Sequence, residues 1–143
     1  MTTYCDFAAG SELHGPYHDR EYGFPVEDEQ LLFERLLLEI NQAGLSWELI
    51  LKKRDGFRRA YDGFDVERVA AYGAANRARL LAGPGIIRTR LKVDAAIANA
   101  AVSLRMRTSH GGVAAGLGGH QPRRMDVWGR RVRSSFRCSG GAC

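Results

Sequence analysis

The chain is poor in most of the features that would place it outside the ordinary intracellular, helical class. Its 143 residues include three cysteines, Cys5, Cys138 and Cys143. That odd, scattered set argues against a disulfide framework and for a reducing, cytoplasmic setting. No apolar run is long enough to cross a bilayer. The opening MTTYCDFAAGSE lacks the charged-then-apolar layout of a secretory signal. β-Branched residues do not cluster and period-two alternation is scarce, which argues against a β architecture. Negative charge is nearly missing from the last quarter. Residues 105–143 carry eight arginines against the single Asp126, whereas residues 1–104 carry 13 Lys or Arg against 15 Asp or Glu. Such an Arg-rich segment suits a polyanionic partner and equally suits a solvated tail.

What is present is helical periodicity. Apolar residues recur at helical spacing over roughly 28–43, 46–60, 65–72, 75–83 and 88–107. Ser46 and Asp65 are placed to cap the second and third of these. Gly56, Gly63 and the GPG at 83–85 punctuate the rest. GGVAAGLGGHQPRR reads as a loop or a poor helix, because glycine costs about 1 kcal/mol per helical site. Trp128, Val132 and Phe136, four apart, suggest one short helix near the end. There is no internal repeat. The expectation is a single all-α domain, long enough to bury a core without disulfides or metal.

Three stretches bear on chemistry. In DEQLLFERLLLEINQAG, Leu32, Leu36, Glu39 and Ala43 fall on one stripe at 100° per residue, with Glu34 and Asn41 opposite. That places Glu39 on the face expected to be buried, as a partly buried ion pair or as a site carboxylate. In LLAGPGIIRTRLKVDAAIANA, two amphipathic stretches meet at a tight turn followed by Arg88, Arg90 and Lys92. This is the sequence form of a helix-hairpin-helix. Gly83 and Gly85 are expected to allow backbone geometry that a side chain would block. The first amides of the second helix, with Arg88 and Lys92 four apart, can face a phosphate backbone. Finally, GPYHDREYGFP gathers Tyr17, His18, Tyr22 and Phe24, as stacking surfaces for a base or as lids over a core. Trp47 presents the same choice between core anchor and pocket wall.

YHDREYGFP, LLLEINQAGLSWELILKKRDGFRRAY and GIIRTRLKVDAAIANA, in this order and spacing, resemble the sequence blocks of the 3-methyladenine-DNA glycosylase I family. The resemblance covers residues 4 to about 107. It implies a helix-hairpin-helix DNA glycosylase fold, incomplete at the C-terminal end of this chain. It also implies a monomer acting on alkylated double-stranded DNA. In the family, N3-methyladenine is flipped out of the duplex and its N-glycosidic bond is hydrolysed. Glu39 matches the glutamate that contacts the base, and Trp47 and Tyr17 match residues packed about it. Gln42, one turn beyond Glu39, is a further candidate for the pocket wall. No lysine stands in a motif for a Schiff-base nucleophile, so no strand-cutting step is expected.

The resemblance further implies a structural zinc. Cys5 and His18 match its first two ligands, with twelve residues between them. The second pair falls in a segment beyond the last residue of this chain, and Cys138, Cys143 and His120 do not match it by position. The competing expectation, from a different functional class, is a relative that binds DNA without turnover.

Overall fold

A computed structural model describes residues 3–119 of the chain, and among them every regular element is a helix. They begin where capping chemistry permits. The first, α1 (Tyr4–Ala9), opens with a reciprocal box in which the Thr3 hydroxyl accepts from the Asp6 amide and Asp6 answers the Thr3 backbone. After it comes α2 (His14–Arg20). Sequence periodicity announces neither helix, because both are short. A helix of six or seven residues carries too few apolar positions to show a period. Tyr17 and His18 stand on α2.

The remaining helices follow the sequence closely. They are α3 (Glu29–Gln42), α4 (Trp47–Ala60), α5 (Val66–Ala70), α6 (Ala74–Ala82) and α7 (Arg90–His110). Asp28, Ser46 and Asp65 cap α3, α4 and α5 by accepting from the amides of Leu31, Leu49 and Arg68. A short 3-10 turn, Asp62–Phe64, joins α4 to α5. The GGVAAGLGG stretch, expected to be a loop or a poor helix, forms a short helix, α8 (Val113–Gly119). The helix expected around Trp128–Phe136 lies outside the described residues.

The chain divides into two compact units, one holding residues 3–24 and the other residues 25–116. The larger has its own core, built from Phe33, Leu37 and Leu38 of α3, Ile50 and Phe57 of α4, Leu80 of α6, and Val93, Ile97 and Ala100 of α7. Tyr61, Phe64 and Tyr72 extend it with parallel ring planes about the 3-10 turn. Among the described residues no helix is long and apolar enough to cross a membrane.

Two sequence expectations are corrected by this core. Gly56 does not interrupt the chain but lies inside α4. In addition, α3 turns inward the face opposite to the one expected. Phe33, Glu34, Leu37, Leu38 and Asn41 are buried, while Leu36, Glu39 and Ala43 are exposed. LLFERLLLEI is apolar on both sides of the helix, so periodicity alone cannot choose between them. The buried carboxylate is Glu34, 3 % exposed, and it is held by Arg54 at 2.6 Å and Arg58 at 3.0 Å.

Candidate functional site

The segment Glu39–Trp47 is a helix end, a turn and a helix start. The α3 helix stops at Gln42, and the chain reverses through Gly44, whose φ of +79° is left-handed and favours glycine. The Leu45 amide donates to the Gln42 carbonyl at 2.7 Å, and the Gln42 side-chain amide donates to the Leu45 carbonyl at 3.0 Å. Ser46 then caps α4, and Trp47 is its first residue. Gln42 thus spends its amide nitrogen on the turn.

Glu39 stands exposed one turn before the end of α3. Among the described residues no hydrogen bond or ion pair holds its carboxylate. A solvated, uncommitted carboxylate can accept hydrogen bonds from an incoming amino group and complement a cation. Trp47 is partly buried, its ring packed against the core of the larger unit. It is therefore a core anchor with an accessible part. Tyr17 lies in the smaller unit, on α2, its ring centroid 6.2 Å from that of Tyr22.

The hairpin is built as the sequence suggested but for a different reason. Between α6 and α7 the turn runs from Gly83 to Thr89, with Ile86 buried as its anchor. Neither Gly83 nor Gly85 has a positive φ, so backbone freedom is not what these glycines supply. The tight requirement is on α4. A Cβ placed on Gly56 would lie 2.2 Å from the Gly85 carbonyl oxygen. The hairpin turn rests backbone to backbone on α4, and Lys53 fastens it with a bond to the Pro84 carbonyl at 3.1 Å.

Thr89 precedes α7 without a side-chain capping bond, so its first amides are not claimed by that residue. Arg88 and Arg90 are exposed beside them. Arg90 has Asp94 as a distant partner at 3.7 Å, whereas no carboxylate holds Arg88 among the described residues. Lys92 does not join this face. Its ammonium nitrogen donates to the main-chain oxygens of Asn41 at 2.6 Å and Ala43 at 2.8 Å, at the end of α3.

In the smaller unit, Cys5 Sγ lies 3.3 Å from His18 Nε2, and His18 Nδ1 lies 2.8 Å from Asp19 Oδ1. In a tetrahedral zinc site a sulfur and a nitrogen ligand stand ~3.6 Å apart, given the usual bond lengths. A ligating histidine commonly donates its other ring nitrogen to a carboxylate. The pair therefore fits one edge of such a site, with Asp19 orienting the ring. Asp19 had not been singled out, although it is adjacent to His18 in sequence. Among the described residues no third donor joins them, and Cys138, Cys143 and His120 lie outside those residues.

Comparison with known proteins places this geometry in context. The family model for methyladenine glycosylase matches residues 7–125. The DNA-3-methyladenine glycosylase of Haemophilus influenzae is 41% identical over 106 residues, covering 74% of this chain and 57% of that protein. DNA-3-methyladenine glycosylase 1 of Escherichia coli is 43% identical over 102 residues, covering 71% and 54%. The structure of 3-methyladenine DNA glycosylase I from Staphylococcus aureus, described in terms of 3-methyladenine recognition, superposes with a TM-score of 0.75. It is 34% identical and is matched over 81% of this chain and 62% of its own. The chain thus spans a little over half the length of these relatives.

Proposed function

The chain belongs to the methyladenine glycosylase family, and from that premise we propose that it is a monofunctional DNA glycosylase acting on N3-methyladenine in alkylated duplex DNA. The observation that carries the reading is Glu39, a carboxylate exposed and uncommitted at the end of α3. It precedes a turn whose bonds lead directly to Trp47.

Methylation at N3 makes the base cationic, so it is already a good leaving group. The C1′–N9 bond breaks with its electron pair passing to N9, which discharges the ring. A water oxygen bonds to C1′ and gives up a proton to solvent. The protein's task is then chiefly to hold the flipped base. Glu39 accepts from the adenine edge and complements its charge. Trp47 offers a ring face, with stacking and cation–π attraction of about 1 kcal/mol. Tyr17 has the same part on the strength of its sequence motif. Arg88, Arg90 and the start of α7 take phosphates, which positions DNA without reading sequence. Cys5 and His18 would hold the family's structural zinc, which supplies cross-linking of the chain rather than chemistry.

The test is product analysis. Alkylated duplex DNA should release free 3-methyladenine and leave abasic sites that break only on later alkali treatment. Strand breaks made by the protein alone would overturn the monofunctional reading. Glu39→Gln should slow release by more than about tenfold, the loss expected for one charge-assisted hydrogen bond. Its helical signal should be unchanged, because among the described residues the carboxylate has no structural partner. Binding of DNA without base release would instead favour the non-catalytic relative.

A further inference from the structure

Lys92 lies on the first turn of α7, where the hairpin presents its two exposed arginines. Its side chain is only partly exposed and turns away from them to the C-terminal end of α3, some fifty positions earlier in the chain. The last four carbonyls of a helix have no N–H donors within the helix and carry its negative pole. A lysine ammonium there meets both needs at once. It bonds the Asn41 oxygen at 2.6 Å and the Ala43 oxygen at 2.8 Å, so one cation spans the last turn of α3 and the first residue beyond it.

What lies on either side of that anchor makes it more than a cap. Two residues upstream of Asn41 is Glu39, and four residues downstream of Ala43 is Trp47. The turn between them is held by the Leu45–Gln42 and Gln42–Leu45 bonds and by the left-handed Gly44. These are all local to residues 42–45. Lys92 adds the long-range tie from this turn to α7. Asn41 itself is 1 % exposed and bonds back to the Leu37 carbonyl at 2.8 Å, so the anchored carbonyl belongs to a residue already locked in the core. The brace thus joins a buried point, Asn41, to an exposed one just past the helix, Ala43.

We propose that Lys92 is a positioning residue for the base-binding turn: it fixes the end of α3 to the start of α7, so that Glu39 and Trp47 hold their spacing and the phosphate-gripping hairpin is tied to the base site. The proposal rests on the glycosylase reading for its consequence, but the brace itself is a property of the free protein. Lys92 therefore acts on the base side, not as the phosphate contact its spacing from Arg88 suggests.

Lys92→Met, Lys92→Gln and Lys92→Arg in the full chain test it by three measurements. Amide hydrogen exchange across Gly44–Trp47 should speed up at least about tenfold in Lys92→Met, by less in Lys92→Gln, and be largely restored in Lys92→Arg, which keeps the charge and donors. Binding of free 3-methyladenine, followed by Trp47 fluorescence, should weaken in the same order. The salt dependence of non-specific DNA binding should keep its slope, whereas loss of a phosphate contact lowers it by about one. Unchanged exchange across Gly44–Trp47 in Lys92→Met overturns the brace, and a reduced salt slope with wild-type base binding assigns Lys92 to phosphate instead. Should the unsubstituted protein fail to bind the base, the glycosylase reading fails while the exchange measurement still judges the brace. Lys92→Gln keeps a neutral donor and supplies the comparison if Lys92→Met does not fold.

Discussion

Gly56 of α4 and Gly85 of the hairpin turn meet so closely that a Cβ on Gly56 would sit 2.2 Å from the Gly85 carbonyl oxygen. The obstacle is backbone rather than a flexible side-chain end, so relief requires the whole turn to move. Gly56→Ala should destabilise the protein by about 2 kcal/mol or more, despite alanine's better helix propensity. Non-specific DNA binding should also weaken, because Arg88 and the start of α7 follow the turn. Gly85→Ala meets Gly56 Cα at 3.4 Å, an ordinary contact, and should be much milder. Chemical denaturation of both variants makes the comparison.

Glu34 offers a separate contrast. Its carboxylate is buried between Arg54 and Arg58, which are themselves 21% and 50% exposed. Removing both arginines strands the carboxylate and should cost about 3–5 kcal/mol. Removing Arg58 alone leaves the 2.6 Å bond to Arg54 and should cost far less. Near-additive effects in the double-mutant cycle would show that the three groups do not act as one unit.

Stability at high pH should depend on Tyr61. Among the described residues its buried hydroxyl has no hydrogen-bond partner, and burial pushes its pKa up to about 12 from the ordinary tyrosine value of 10.0. Burial also raises the pKa of Tyr72, with further help from the bond it donates to Asp62. A raised folded-state pKa gives stability that is whole below pH 10 and is lost as pH climbs toward 12. Tyr61→Phe removes an unsatisfied polar atom, so it should be neutral or stabilising by about 1 kcal/mol at pH 7. It should also flatten the alkaline decline of the melting temperature.

The Cys5–His18 pair should be the part of the chain on which zinc retention depends. Cys5→Ser should reduce zinc content measured by elemental analysis. Asp19→Asn should lower metal affinity by roughly tenfold or more while leaving both ligands in place, as expected for a residue that orients a ligating ring. Zinc retention indifferent to Asp19 would assign its 2.8 Å contact with His18 to surface pairing only.

Much of this molecule was legible without coordinates, where the governing interactions are local. Helix period, the caps at Ser46 and Asp65, and the helix–turn–helix around GPG depend on residues within a few positions of one another. The helices α3 to α7 accordingly fall near their expected bounds. The blocks that carry the family likeness are also contiguous, so Glu39, Trp47, Arg88, Cys5 and His18 could be picked out as candidates from the chain alone. The helices α1 and α2 escaped because six or seven residues do not establish a period, whereas the still shorter α5 is marked by its cap, Asp65.

Tertiary structure decided whatever depended on distant partners. The two faces of α3 are comparably apolar, and which one turns inward is settled with Arg54 and Arg58 on the next helix. They make burial of Glu34 affordable and leave Glu39 in solvent. Lys92 sits at the right interval from Arg88 for a phosphate contact, yet the unsatisfied carbonyls at the end of α3 claim it. The glycine that the hairpin requires is not in the hairpin but at position 56, since only packing reveals where two backbones touch. Local sequence sets periods and caps, because those energies are spent within one turn of helix. The choice of face, brace and close approach belongs to the fold, because each is settled by a partner twenty to fifty residues away.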